Sequence, residues 1–356
     1  MTTTNSQPMV QSPAASDLSR GPAIPGPVPA HPPATVGRYW LRLTIVLLVA
    51  VLAAVLIVTY DNPAEPGSRG FWTIVNNRLT SVATITIVGI CHGVATVAFH
   101  SVTNNRILTP SILGFDALYR AVQTALVFFL GAGAVAATNT VGHVVAQSLL
   151  MIAFATALYG WLFSGKRASL HVLLLVGVVL GMGFGSLATF MQRLLTPSEF
   201  DILTARLFAT MSQSDSTYLP IGFAAVVGVG FVLWRRRHVL DVVSMGREVA
   251  TGLGVRYQRE VMLVLVMVAV LISVSTSLTG PMTFFGFLVA MLTYQLVGTS
   301  SHQWTLPMVA ALSVATLLSA YFVLRHVFYA QGLISVIIEL VGGLAFLVYL
   351  LRKGLR

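Results

Sequence analysis

Three ionisable side chains lie in stretches that are otherwise apolar, where a charge is costly and marks a candidate site. Asp116 and Arg120 are four residues apart, so on a helix they share a face and can form an ion pair. Glu339 lies in the last apolar stretch, within IIELVGG. An ionisable group at the centre of a membrane helix costs about 2.5–3.5 kcal/mol on insertion scales. These residues therefore form structural pairs or line a polar path, and the sequence leaves both interpretations open.

The other residues with chemical potential form no catalytic or metal-binding pattern. His92, His100 and His143 are scattered singly, without the paired spacing of a metal site, so we interpret them as packing or hydrogen-bonding residues within helices. The segment 160–167 (GWLFSGKR) nearly matches a nucleotide-binding loop, but Arg167 stands where Ser or Thr is needed to bind Mg²⁺. We therefore expect no catalytic residue, no metal site and no cofactor bound by this chain.

The elements that carry these residues are predicted to be membrane-spanning helices. Of the 356 residues, 56% are hydrophobic and only 9% are charged, whereas about a quarter of a soluble domain is charged. The apolar runs reach about 20 residues, the length that a helix needs to cross ~30 Å of hydrocarbon. We predict an all-α polytopic membrane protein with about ten transmembrane helices. A separate interfacial helix at 71–79 is predicted to precede the second of them. The predicted spans are 41–60, 81–101, 111–131, 141–163, 170–194, 218–234, 261–279, 284–297, 306–325 and 333–351.

The positive charges predict the orientation of these helices. The net charge is +10, and if the N-terminus is cytoplasmic and each span crosses once, 15 of the 21 Lys and Arg residues lie on the cytoplasmic side. Membrane insertion favours this distribution. Both termini are then cytoplasmic, and the basic charge indicates topology and no nucleic-acid partner.

Two polar segments differ from the apolar helices. Residues 1–37 are rich in proline and poor in large apolar side chains, so we predict a disordered cytoplasmic tail, followed by a membrane domain at 38–356. Residues 235–260, here called the basic loop, are the largest polar segment of that domain. Within the loop, 241–254 is predicted to form one short helix, because Val242, Met245, Val249 and Leu253 recur at helical spacing. A soluble partner could bind such a helix.

Four separated motifs stand out in the sequence: Arg78–Leu79 with the turn 103–114, the series Gly177, Gly181 and Gly185, the segment 249–255 (VATGLGV) and the segment 280–286 (GPMTFFG). Together they resemble those of the permease subunits of bacterial ABC importers for ferric siderophores, with the vitamin B12 and haem permeases as relatives. The glycine series in the second motif lets another backbone approach closely, so packing explains it without a function. The wording NNRILTPSILGFDALY is similar to the branch that handles catecholate and mixed-ligand siderophores.

The resemblance implies an ABC type II importer permease architecture in the bacterial cytoplasmic membrane, paired with a second permease subunit, identical or different. Two ATPase subunits, which use ATP and Mg²⁺, would bind the coupling helix of the basic loop, and an extracytoplasmic substrate-binding lipoprotein would deliver ferric siderophore. For the ATPase contact the resemblance implies Ser244, Gly246, Glu248, Ala250, Leu253 and Gly254. For the translocation path it implies Asp116, Arg120, Gly181, Gly280, Pro281 and Glu339.

Other functions remain open at this point. Haem or cobalamin are alternative cargoes within the same family. A proton-coupled secondary transporter would use Asp116, Arg120 and Glu339 as a proton relay, although the sequence has no clear inverted repeat. The segment 196–217 resembles the part of such permeases that meets the substrate-binding protein, and an ordinary solvated loop explains it equally well.

Overall fold

The computed structural model describes residues 36–137, 141–163, 170–207 and 216–328, together with 337–338, 340–341, 343–344, 347–348 and 351. Short 3₁₀ turns at Pro110–Leu113 and Ser216–Tyr218 precede α3 and α7. The α-helices of this described part are α1 (Val36–Thr59), α2 (Arg69–Thr103), α3 (Phe115–Ala137), α4 (Val141–Phe163), α5 (Leu170–Gln192), α6 (Pro197–Leu207), α7 (Leu219–Arg235), α8 (Arg237–Val243), α9 (Arg247–Gly252), α10 (Tyr257–Thr279), α11 (Phe285–Val297) and α12 (His302–His326).

Helices occupy the first nine predicted spans, whereas the tenth lies largely outside the described residues. Within the described part, six helices are long and apolar enough to cross a membrane, and the pair α7 and α8, bent by 65°, makes a seventh if counted as one span. α11 is apolar but shorter, and Gly131 interrupts the helical backbone of α3. The predicted tail at 1–37 lies, up to residue 35, outside the described residues.

The prediction of a separate helix at 71–79 is wrong. α2 runs without a break from Arg69 to Thr103, and its first turn is capped by the Ser68 hydroxyl, which accepts a hydrogen bond from the Phe71 amide at 3.1 Å. No Pro or Gly stands between residues 71 and 88, so nothing in the sequence ends the helix there. At about 1.5 Å per residue, its 35 residues exceed the thickness of the hydrocarbon layer.

α2 forms the centre of the bundle together with α10 and α12. Both α2 and α10 are mostly buried, whereas α1 and α5 expose most of their apolar surface, as expected of helices that face lipid. α2 and α12 approach closely, since a Cβ atom added at Gly89 would lie 3.2 Å from the Ser313 carbonyl carbon. α2 and α12 are therefore packed backbone against backbone at the centre of the bundle.

α1 is attached at both ends of the bundle. At one end, the Tyr39 hydroxyl donates to the Trp304 carbonyl oxygen at 3.1 Å. At the other, the buried Arg78 guanidinium donates to the carbonyl oxygens of Tyr60 at 2.5 Å and Asp61 at 2.8 Å, and also reaches the last turn of α1. Helix C-termini carry unpaired carbonyls and partial negative charge, so Arg78 acts as a cap for α1.

Candidate functional site

The basic loop contains two short helices, so the prediction of one helix over 241–254 is wrong. α8 ends at Val243 and α9 begins at Arg247. Between them, Gly246 has φ +98° and ψ 169°, a backbone conformation that is open almost only to glycine. The apolar spacing continues through this break, which is why spacing alone predicts an unbroken helix.

A glycine-based cap ends α9 and fixes it to the bundle. Gly254 has φ +83°, its amide donates to the Thr251 carbonyl oxygen at 3.0 Å, and the Val255 amide donates to the Ala250 carbonyl oxygen at 2.9 Å. This pair of bonds is the Schellman motif. Ala250 is fully buried, and Val255 packs against the same core cluster. Residues 250–255 therefore anchor the end of α9 to the bundle.

The outer face of α9 carries exposed apolar side chains. Met245, Val249 and Leu253 follow one another at intervals of four residues, and are 39%, 44% and 62% exposed. Val249 and Leu253, the C-cap residue of α9, lie on one helical face, and Met245 lies just before the break at Gly246; the three side chains are here called the apolar stripe. Arg247 and Glu248 are exposed beside it. A soluble partner could bind this surface.

The six predicted ATPase-contact residues differ in accessibility. Glu248, Leu253 and Gly254 are exposed, and Ser244 and Gly246 are partly exposed. Ala250 faces the interior, so its contribution to a partner contact is indirect. An ion pair between Arg236 and Glu260 joins the two ends of the basic loop.

The predicted path residue Asp116 meets the fourth motif. Asp116 is buried at the start of α3, and the Thr283 hydroxyl donates to its Oδ2 at 2.8 Å. Thr283 lies between α10 and α11, shortly after Gly280, which ends α10 with φ +85°, and Pro281. The structure thus brings Asp116, Gly280 and Pro281 into one region. Sequence reasoning did not find Thr283 as the partner of Asp116.

Arg120 and Gly181 line a cavity between α3 and α5. Arg120 is exposed, and its Nε lies 3.4 Å from the backbone carbonyl oxygen of Asp116. The cavity has a volume of about 630 Å³, and its wall also includes Gly185, Thr189 and other residues of α5. It is lined by small and polar groups as well as apolar ones, so it can hold water or a polar solute.

The glycine series on α5 packs against the turn that precedes α3. A Cβ atom at Gly177 would lie 3.0 Å from Leu113 Cα, and one at Gly181 would lie 3.2 Å from Gly114 Cα. The packing interpretation is therefore confirmed for Gly177 and Gly181. Gly185 has no atom within 4 Å of such a Cβ and borders the cavity instead.

The remaining candidate groups are separate from one another. Glu339 lies outside the described residues. The His92 ring meets the Phe285 ring edge-on at 5.9 Å, and His100 Nδ1 lies 3.2 Å from the Tyr294 hydroxyl. Among the residues that the structure describes, no three His, Cys, Asp or Glu side chains are grouped so as to hold a metal ion.

α6 lies in the predicted outer segment, at the end of the bundle opposite the basic loop. The Thr196 amide and hydroxyl donate to the Glu199 carboxylate at 3.0 and 2.8 Å, and these bonds lower the pKa of Glu199 below its ordinary value. Leu203 is buried against Val127 of α3. The first half of the segment is thus an ordered helix that packs on the bundle.

Comparison with known proteins gives matches along almost the whole chain. The model of the FecCD transport family matches residues 42–353. The petrobactin import system permease protein FatC of Bacillus anthracis is 45% identical over 316 residues, which are 89% of this chain and 89% of the relative. YclO of Bacillus subtilis, with the same description, is 35% identical over 89% of this chain and 99% of its own. The ferric enterobactin permease protein FepD of Escherichia coli is 26% identical over 88% of this chain and 95% of its own.

A solved structure has the same architecture. It is described as an inward-facing conformation of a metal-chelate type ABC transporter, and it aligns with a TM-score of 0.76 and 21% identity over 88% of this chain and 99% of its own. The predicted all-α importer-permease fold and the predicted resemblance to siderophore permeases are confirmed. Since the family model matches residues 42–353, which is most of its length, this chain belongs to the FecCD transport family.

Proposed function

We propose that this chain is the permease subunit of an ABC importer that carries a ferric siderophore across the bacterial cytoplasmic membrane by alternating access. Two petrobactin permeases are 45% and 35% identical to it over most of both chains, and this supports a siderophore over haem or cobalamin. The chain is a multi-pass, non-catalytic membrane subunit, and its transporter contains a partner permease and an ATPase. These relationships do not favour a proton-coupled secondary transporter.

The apolar stripe is the observation that carries the proposed attachment of the motor. Val249 lies on α9 and Leu253 is its C-cap residue, and Ala250 and the Gly254 cap hold this helix against the core. A rigid surface transmits a displacement to the helices on either side of it. Basic residues surround the stripe, which supports a cytoplasmic position for the basic loop and for both termini.

The other partners follow from this orientation. A second permease, identical or different, would complete the pore, and two ATPase subunits would supply all ATP and Mg²⁺ chemistry, so that this chain binds no cofactor. A substrate-binding lipoprotein would meet the opposite end of the bundle, where Asp201 of α6 is exposed and Glu199 is partly exposed. The polar path would include Asp116, Arg120, Gly181, Gly280, Pro281 and Glu339, and the cavity beside Arg120 supports that part of it.

Uptake of radioiron-labelled siderophores in a strain that lacks this chain tests the cargo. We expect uptake of ferric petrobactin, or of a related chelate, to be lost and to return with the wild-type chain. Unchanged uptake of every siderophore tested would reject the iron assignment. Uptake that stops when the proton gradient is collapsed, while ATP remains, would instead indicate a secondary transporter.

Copurification with the ATPase tests the docking surface. Burying a leucine side chain is worth about 1.5–3 kcal/mol, so Leu253→Asp should weaken ATPase binding at least about tenfold. Leu194→Asp is the matched control, since Leu194 is similarly exposed, at 57% against 62%, and follows α5 at the opposite end of the bundle. Equal ATPase binding by the two variants would mean that the motor attaches elsewhere.

A further inference from the structure

Three polar side chains from separate helices form a continuous hydrogen-bonded chain beside the basic loop. His302 Nδ1 lies 2.5 Å from Asp241 Oδ1, and its Nε2 lies 2.5 Å from the Ser101 hydroxyl oxygen. The carboxylate can only accept, so Nδ1–H is the donor in the first bond. The Ser101 hydroxyl shares its one hydrogen between His302 Nε2 and the Val97 carbonyl oxygen, which lies 2.8 Å away. Asp241, His302 and Ser101 are here called the polar relay.

Asp241 is also a cap for α12. Its Oδ1 accepts the backbone amide of His302, the first residue of α12, at 2.8 Å. The preceding residue, Ser301, makes no side-chain cap of its own to this helix. The first amides of a helix lack internal partners and carry partial positive charge. The Asp241 carboxylate therefore stabilises the start of α12 both by accepting a hydrogen bond and by its negative charge.

Burial makes these contacts strong and directional. The His302 and Asp241 side chains are 3% and 16% exposed, and Ser101 is 5% exposed. Away from water, a hydrogen bond is electrostatically stronger, and losing one partner leaves the other unsatisfied. Apolar contacts such as those of Leu240 and Val243 on α8 can slide by small steps, whereas a chain of short hydrogen bonds fixes one register.

The relay joins elements that the chain itself does not join. α8 and α9 are covalently continuous with α7 and α10, so any movement of the basic loop reaches those two helices directly. α2 and α12 are distant in sequence, and the relay bonds span 201 and 61 residues. α2 and α12 are also central helices of the bundle, and they approach one another at Gly89.

We propose that the polar relay transmits displacement of the basic loop to α2 and α12, so that the loop and these two helix ends move as one body. The proposal rests on the proposed function, because the displacement comes from the docked ATPase. Asp241 receives the movement on α8, and His302 passes it to the start of α12 and through Ser101 to the end of α2. The three are positioning residues, and none has to touch the cargo.

The same order of residues serves nucleophilic catalysis in hydrolases, but the surroundings of Ser101 differ from those of a nucleophile. Ser101 is buried in the last turn of α2, and its hydroxyl is engaged by the Val97 carbonyl oxygen. Ser101 and His302 border a cavity of about 260 Å³ at the end of the bundle, and its wall also includes Arg106, Ser244 and Tyr294. A mechanical role uses every contact of the relay, whereas catalysis would leave the cap on α12 without a purpose.

The ratio of ATP hydrolysed to iron imported tests the relay in the complete transporter reconstituted with its binding protein, with ferric petrobactin as the probe. In Asp241→Asn and Ser101→Ala, hydrolysis should continue while the ratio rises at least about fivefold, the scale of a modest coupling energy. Ser101→Ala removes one buried hydroxyl, so it is the variant expected to fold normally. His238→Gln is the matched control, since His238 is exposed on the same α8. A ratio unchanged in both relay variants would overturn the proposal.

A distance measurement tests the relay without cargo. Spin labels on His238→Cys in α8 and Gln303→Cys in α12 use two exposed positions away from the apolar stripe, and Cys91 is buried and so protected from labelling. In the wild-type complex the label distance should stay constant when ATP hydrolysis is trapped with vanadate, and in Asp241→Asn it should change or broaden. A constant distance in both refutes the relay even if no siderophore is imported. If the ATPase does not bind at all, the proposed function fails, and the relay fails with it.

Discussion

The contact between α5 and the turn before α3 makes a sharp prediction, because the chain contains its own control. Gly177→Ala would place a methyl group 3.0 Å from both Cα and Cδ2 of Leu113 and 3.2 Å from its carbonyl oxygen. The ordinary separation of carbon atoms is about 3.5–4.0 Å. Leu113 Cα and its carbonyl oxygen belong to the backbone, so no side-chain rotation relieves the clash.

The magnitude follows from two opposing terms. Overpacking a well-filled interior costs about 1–3 kcal/mol, whereas replacing Gly by Ala within a helix gains about 0.5–1 kcal/mol. Gly183 lies on the same helix, and no atom lies within 4 Å of a Cβ added there. Gly183→Ala therefore has the stabilising effect of Ala in a helix without the cost of overpacking. The helix term cancels between the two variants, so Gly177→Ala should be less stable than Gly183→Ala by about 1–3 kcal/mol.

The chain provides the reporter for this comparison. Cys91 is its one cysteine and is fully buried, so a thiol-reactive fluorescent dye labels the protein in detergent only as it unfolds. At roughly 2–4 °C per kcal/mol, the midpoint of Gly177→Ala should lie roughly 2–12 °C below that of Gly183→Ala. Equal midpoints, or a more stable Gly177→Ala, would refute the close packing of α5 on Leu113.

Further predictions concern the ends of three helices. Arg78→Met should speed amide exchange in the last turn of α1, because buried carbonyls left without a donor cost about 1–3 kcal/mol each. Gly254→Ala should loosen α9 by about 1–2 kcal/mol, the cost of a left-handed backbone for an L-residue, and should speed proteolysis of the basic loop, whereas Gly252→Ala should not. The pKa of Glu199 is lowered in the folded protein, so its contribution to the stability of α6 is complete above the ordinary pKa of a glutamate and is lost as pH falls through the folded pKa. The protection of the amides at the start of α6, measured as exchange relative to the intrinsic rate at each pH, should therefore decrease over that range. Glu199→Gln keeps an acceptor for Thr196, and a pH response that persists in it would contradict this account.

The sequence predicts the helices well because the length of an apolar run decides whether a segment can span a membrane. It fails where local backbone conformation decides, as at Gly246, where helical spacing continues through a break. The end of α9 could have been predicted more closely, since a Gly followed by an apolar residue is the usual signal of a Schellman cap. The close packing at Gly177 and Gly181 was predictable from their spacing alone.

Contacts between distant residues could not be predicted from one sequence. Nothing near His302 indicates that Asp241, 61 residues earlier, is its partner, and the short helix predicted around Asp241 gave no direction for its side chain. The Thr283 hydroxyl on Asp116 joins residues 167 apart in the same way. Such pairs depend on which helix faces each other helix, and apolar helices of similar length and composition do not specify that.

The two attachments of α1 form at different times as the protein is made. Arg78 reaches carbonyls only 17–21 residues before it, so this hairpin can close while the nascent chain is still leaving the ribosome. The contact from Tyr39 to Trp304 spans 265 residues and must wait until α12 has been translated. During most of translation the first helix is therefore tethered to the second at one end alone, and the last helices to enter the membrane fasten the other.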